Sequence, residues 1–120
     1  MTSEEILLVE QRESVRILTF NRPEARNAIG PVESRALFEH LGRFREDDEA
    51  SVLVVTGAGT EAFCAGADLK SVVAMFDPGS DLEPLYDPAD PHASPIPAEG
   101  NIGPTRWTGI NKPGIAAVNG

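Results

Sequence analysis

Apolar positions near the start of the chain fall into two short runs, Ile6 to Gln11 and Val15 to Asn21, rich in Ile, Leu, Val, Thr and Phe and separated by Arg12-Glu13-Ser14. Short β-rich runs around a polar break predict an antiparallel hairpin. In the second run Val15, Ile17 and Thr19 alternate with Arg16, Leu18 and Phe20, so both faces turn apolar toward its end and the strand is expected to enter the core there. Pro23 stops the strand, and residues 21–30 follow neither a helical nor a strand period, which predicts an ordered loop. From Pro31 the period becomes helical. Leu37, Leu41 and Phe44 form one stripe, Pro31 suits the first turn and Glu33 suits the positive helix end. The acidic run Asp47-Asp48-Glu49 is poorly placed at a negative helix end and marks the stop.

Ser51 to Thr56 is a continuous β-branched run, the pattern of a strand buried on both faces and therefore of an α/β protein. Gly57-Ala58-Gly59-Thr60 turns the chain. Leu69, Val72, Val73 and Phe76 then repeat at helical spacing and predict a short helix from Asp68 to Phe76, with Asp68 near its N-terminus. Residues 77–104 collect proline, glycine and acidic residues with few large apolar ones, which predicts a variable acidic, Pro-rich loop. A helical turn is expected around Trp107, and Ile115-Ala116-Ala117-Val118 predicts another buried strand. Asn119-Gly120 is a turn signal with nothing after it, the expected mark of a truncated chain.

Charge narrows the function classes. With 10 Lys+Arg against 19 Asp+Glu the 120-residue chain carries a net charge of -9, which argues against nucleic acid or an anionic membrane as partner. A hydrophobic fraction of 41% supports a folded core. Cys64 is the sole cysteine, so no intrachain disulfide forms. The N-terminus is acidic and no apolar run approaches the ~20 residues of a membrane span. A soluble, cytoplasmic protein is the expectation.

Gly57 to Ala62 formally matches the G-x-G-x-x-A dinucleotide pattern, but Gly66 interrupts the helix that should follow, and no Lys-Ser/Thr pair completes a phosphate loop. The segment Glu61 to Lys70 is more informative. Its small residues allow close approach to the main chain, and the helix opening at Asp68 offers N–H groups suited to an anion or to a carbonyl oxygen gaining charge. Tight strand-to-helix packing accounts for Ala-Gly-Ala equally well. Glu61 and Asp68 read as surface and capping residues rather than general bases, and Cys64 as a small buried residue. His40 and His92 lack ligand-spaced companions, so no metal site is expected.

Phe63-Cys64-Ala65-Gly66-Ala67-Asp68-Leu69-Lys70 resembles the oxyanion-hole motif of the enoyl-CoA hydratase/isomerase (crotonase) superfamily. Two flanking segments agree in order and spacing. Asn21-Arg22-Pro23-Glu24-Ala25-Arg26-Asn27-Ala28 resembles its early coenzyme A loop, and Asn111 to Gly120 resembles the strand leading to its second glycine-rich turn. The resemblance implies an α/β, crotonase-like spiral of repeated β-β-α units, of which residues 1–120 are the N-terminal portion. It implies an enzyme, an enoyl-CoA hydratase above the isomerase and other branches, acting on acyl-CoA thioesters as a homo-trimer or dimer of trimers. Coenzyme A belongs to the substrate, and no further cofactor is implied.

By the same resemblance the backbone N–H of Ala67 is an oxyanion donor, and Ala25, Arg26, Ala28, Ala65, Gly66, Asp68, Leu69 and Lys70 line the coenzyme A site. Arg22, Arg26 and Lys70 could supply local positive charge, Arg22 being equally readable as a solvated surface residue. The family's second oxyanion glycine and its acid/base glutamates fall after Asn119-Gly120. The chain by itself is therefore expected to be inactive, and the alternative is a non-catalytic piece that binds acyl-CoA or assembles with a complementary C-terminal half.

Overall fold

The computed structural model describes residues 3–75 and 109–120. The expected acidic loop 77–104, the turn around Trp107, Phe76 and His92 lie outside the described residues. A single helical turn, α1 (Ser3–Ile6), leads into β1 (Leu7–Arg12) and β2 (Val15–Phe20). These pair antiparallel from Leu7 opposite Phe20 to Arg12 opposite Val15, leaving Glu13-Ser14 as a two-residue turn with Glu13 at φ 54°. The predicted hairpin is present; α1 has too few residues to carry a periodic signal.

Helix α2 (Pro31–Glu46) follows, then β3 (Val52–Gly57), α3 (Leu69–Met75) and β4 (Gly114–Ala117). The sheet runs β1-β2-β3-β4, with β2 parallel to β3 and β3 parallel to β4. A parallel neighbour requires a crossover, and α2 supplies the one between β2 and β3. Its stripe of Leu37, Leu41 and Phe44, with Ala36, closes over Leu18 and Phe20 of β2 and Leu53 and Val55 of β3 to make the core. Burial of each large apolar side chain contributes ~1.5–3 kcal/mol, so this one layer of contacts holds helix to sheet.

Both ends of α2 are capped, the first by the helix's own Glu33 and the second from elsewhere in the chain. At its start the Gly30 N–H donates to Glu33 Oε2 (3.0 Å), and Pro31 occupies a position whose N–H would lack a partner. At its end Lys112 Nζ donates to the carbonyls of Phe44 and Asp47 (both 2.7 Å) and lies 4.8 Å from the centre of the Phe44 ring. A cation at the negative end of a helix is favourable, and here it ties the segment before β4 to α2.

Two strands are less covered than their apolar runs predict. In β3 only Leu53, Val55 and Gly57 are buried, while Val52, Val54 and Thr56 are half-buried; all four residues of β4 are exposed. Among the described residues α2 covers one face of the sheet only, and β4 has β3 as its one strand neighbour. A continuous apolar run reports that a strand is fit for burial on both faces; it does not supply the covering layer. No helix among the described residues is long and apolar enough to cross a membrane.

Gly57, the last residue of β3, is held closely. A Cβ there would strike the Phe63 carbonyl oxygen and lie 2.7 Å from Asn27 Nδ2. Backbone cannot yield as a side-chain tip can, so Gly57→Ala is expected to destabilise the protein by at least ~2 kcal/mol, read as a lower denaturant midpoint. An unchanged midpoint would show that the turn relaxes freely.

Candidate functional site

Two loops meet at the top of β2 and β3. After β2, a 3-10 turn at Pro23–Ala25 carries the chain through Arg26 and Asn27, both with positive φ (51° and 56°). Asparagine tolerates that region better than most residues, and its side chain is used fully here. Asn27 is 1% exposed; its Nδ2 donates to the carbonyls of Ala58 (3.0 Å) and Ala62 (2.9 Å), and its Oδ1 accepts the Arg22 N–H (3.0 Å). One buried amide thus joins the loop after β2 to the loop after β3 and leaves none of its polar atoms unmet. Sequence reading did not single it out; the signal was an asparagine in a loop rich in turn formers.

The loop after β3 is fixed from two further sides. The Phe63 ring packs edge-on against Phe20, centroids 5.9 Å apart. The Asn119 side chain continues the ladder beyond β4: Nδ2 donates to the carbonyls of Gly57 (2.7 Å) and Gly59 (2.9 Å), and Oδ1 accepts the Gly57 N–H (3.1 Å). Cys64 is half-buried and its Sγ accepts the Gly66 N–H at 3.4 Å, consistent with a packing residue. Gly66 turns with φ 98°, a conformation glycine adopts without strain.

Residues 26–29 then run parallel to residues 65–68. The Ala65 N–H donates to the Arg26 carbonyl (2.9 Å), the Ile29 N–H to the Gly66 carbonyl (2.8 Å), and the Asp68 N–H to the Ile29 carbonyl (2.8 Å). In a parallel pair one residue bonds to both neighbours of the residue opposite, so Ile29 uses Gly66 and Asp68 and the peptide N–H of Ala67 faces away. Among the described residues that N–H has no acceptor.

The structure therefore brings Arg26, Ala28, Ala65, Gly66, Ala67 and Asp68 into one place, with Ala25 one turn behind. Ala25, Ala28, Gly66 and Ala67 are half-buried, while Arg26 and Ala65 are exposed. Leu69 and Lys70, in the first turn of α3, are exposed, Leu69 at 72%. Arg26 comes no closer than 4.0 Å to Glu61, both in solvent, a separation at which an ion pair contributes little.

Arg22 is neither a free surface cation nor a free phosphate ligand. Its Nη1 lies 2.7 Å from Glu33 Oε1 and 3.1 Å from Asp68 Oδ2, so two carboxylates already meet its charge. Burial alone would lower the Arg22 pKa; hydrogen bonds and attraction from Asp68 and Glu33 outweigh it and raise the value. Burial likewise would raise the Asp68 carboxyl, but the Arg22 hydrogen bond and the N–H groups of Ser71 and Lys70 hold it below the usual range. Asp68 is thus the capping residue of α3, as expected from sequence.

A depressed carboxyl stabilises the fold above the unfolded pKa, and that stabilisation is lost as pH falls through the folded value. Asp68→Asn is therefore expected to be less stable than the wild type near neutral pH, with the difference closing as pH falls below about 4, measured by denaturation across pH; identical profiles would contradict it.

The trio lines one wall of a depression of about 320 Å³ completed by Ile6, Pro31, Val32 and Ser71. A larger hollow of about 460 Å³, between the hairpin and α2, touches none of the site residues. Among the described residues no group of three His, Cys, Asp or Glu side chains could hold a metal ion.

Comparison with known proteins agrees with this arrangement. Residues 10–120 match the enoyl-CoA hydratase/isomerase family. The chain is 38% identical over 109 residues to a carnitinyl-CoA dehydratase of Proteus mirabilis, covering 91% of this chain and 36% of that protein. It is 39% identical over 80 residues to 3-hydroxyisobutyryl-CoA hydrolase 1 of Arabidopsis thaliana, covering 67% of this chain and 21% of that one. The crystal structure of a probable enoyl-CoA hydratase/isomerase from Mycobacterium abscessus superposes with a TM-score of 0.72 at 34% identity, over 97% of this chain and 38% of that one. The chain spans little more than a third of the length of the first of these relatives. Its fold matches the N-terminal portion of crotonase structures, and the chain belongs to the enoyl-CoA hydratase/isomerase family.

Proposed function

We propose that residues 21–30 and 57–70 form the thioester-carbonyl side of a crotonase-type site, and that the protein carrying them adds water to 2-enoyl-CoA thioesters. The observation that carries this reading is the Ala67 N–H, which is rigidly held by the Ile29 pairing yet has no acceptor among the described residues. A fixed donor aimed at an oxygen that gains negative charge favours the enolate over the ground state. Ala25, Arg26, Ala28, Ala65, Gly66, Asp68, Leu69 and Lys70 would line the coenzyme A site, largely through backbone. Small residues suit that task, since a thioester can reach the main chain only where side chains are short. Assembly as a trimer or a dimer of trimers belongs to the same reading.

The dehydratase and hydrolase relatives show that one scaffold serves several reactions, so the test must separate them. The complete gene product is expected to remove the enoyl-thioester absorbance of crotonyl-CoA without releasing free thiol. Release of thiol from 3-hydroxyacyl-CoA, with no change in enoyl absorbance, would place the protein in the hydrolase branch instead.

A second reading, a non-catalytic piece that assembles with a complementary segment, draws on the exposed Ile115 in β4, Val118 just after it, and Leu69 and Val73 on α3. Residues 1–120 expressed alone are then expected to self-associate, and a compact monomer in light scattering would count against it.

A further inference from the structure

We infer that Arg22 is a positioning residue for the oxyanion donor: it clamps the two strands that hold Ala67 and so sets where the Ala67 N–H points. This rests on the reading of Ala67 given above. The same Nη1 atom bonds Glu33 Oε1 and Asp68 Oδ2, and each carboxylate uses its other oxygen on backbone. Glu33 Oε2 accepts the Gly30 N–H (3.0 Å), and Asp68 Oδ1 accepts the Lys70 N–H (3.2 Å). Gly30 and Asp68 are the residues immediately after Ile29 and Ala67, the two partners of the bridge. Arg22 therefore fastens both sides of the bridge one residue beyond it.

The clamp has a firm root, because the Arg22 N–H donates to the buried Asn27 Oδ1 and the Arg22 carbonyl accepts the Asn27 N–H (2.8 Å). Removing the guanidinium leaves two half-buried carboxylates as unscreened neighbours. Their repulsion pushes the start of α3 away from residues 27–30, and a donor displaced by a fraction of an ångström loses carbonyl stabilisation rather than binding. Arginine suits the position because one planar group serves two carboxylates, whereas an ammonium is a point charge.

The test uses the complete gene product with bound crotonyl-CoA, comparing Arg22→Met and Arg22→Lys with the wild type by infrared difference spectroscopy of the thioester carbonyl and by steady-state kinetics. The wild type is expected to move the carbonyl stretch to lower frequency than in solution. Arg22→Met is expected to undo most of that displacement and to lower kcat by about 10- to 100-fold with little change in KM, and Arg22→Lys to do the same to a smaller degree. If Arg22→Met does not fold, the lysine variant decides. Variants that fold and leave the carbonyl displacement intact, even with reduced activity, overturn the inference and assign Arg22 to stability alone. A wild type that binds crotonyl-CoA without displacing the stretch overturns the Ala67 reading itself, and the clamp with it.

Discussion

Replacing the Ala67 N–H by an ester oxygen, with lactate in place of alanine, is expected to lower kcat for crotonyl-CoA hydration by about 10²- to 10³-fold, the loss typical of one oxyanion-hole donor. The exchange keeps the side chain and alters one atom of the main chain, so no packing contact changes. It also makes the Gly66 carbonyl a poorer acceptor for the Ile29 N–H. That side effect is expected to cost less than ~1 kcal/mol of stability, well below the ~3–4 kcal/mol expected in the barrier. Because the N–H bonds the oxygen more strongly as charge develops, kcat should carry the loss and KM should change little. Comparison with Arg26→Ala separates this from substrate binding, since loss of an exposed side chain at the proposed coenzyme A loop should act on KM. An ester variant that keeps full kcat would remove Ala67 from the mechanism.

The second large effect is structural. Asn27→Ala is expected to destabilise the protein by about 3–4 kcal/mol, measured as a lower denaturant midpoint. Three hydrogen bonds disappear at a 1%-exposed position, and alanine must take up the φ of 56° that asparagine tolerates. Asn27→Asp is the sharper test. It keeps an acceptor for the Arg22 N–H but places a buried charge against the carbonyls of Ala58 and Ala62. Such a carboxyl has a raised folded pKa, so stability should recover as pH falls through that value and be lost as pH rises. A stability loss equal to that of alanine at every pH would mean that the two carbonyls find other donors.

Regular elements were legible because each carries its own period. The hairpin, α2, β3 and α3 all form within a residue or two of their predicted spans, and Leu37, Leu41 and Phe44 form the core stripe their spacing implies. Exposure of β4 was not legible, since an apolar run says nothing of whether a second layer covers it. The site itself has no periodic signature. Ile29 meets Ala67 through one isolated bridge; the resemblance of residues 63–70 to a known motif pointed to Ala67, and nothing in the sequence pointed to Ile29 as its partner.

Long-range polar pins were invisible for a different reason. Arg22 finds one carboxylate in the first turn of α2 and the other at the start of α3, and Lys112 reaches back to the last turn of α2. Nothing in the local pattern around an Asn-Arg-Pro triplet marks a half-buried clamp. The same triplet in a surface loop would look identical.

The most direct measurement is the crystal structure of the complete gene product with a bound acyl-CoA or a stable thioester analogue. The thioester oxygen is expected at about 2.7–3.1 Å from the Ala67 nitrogen, with the coenzyme A chain passing over residues 25–28 and 65–70. A thioester oxygen that meets other donors, with the Ala67 N–H turned to solvent, would contradict it.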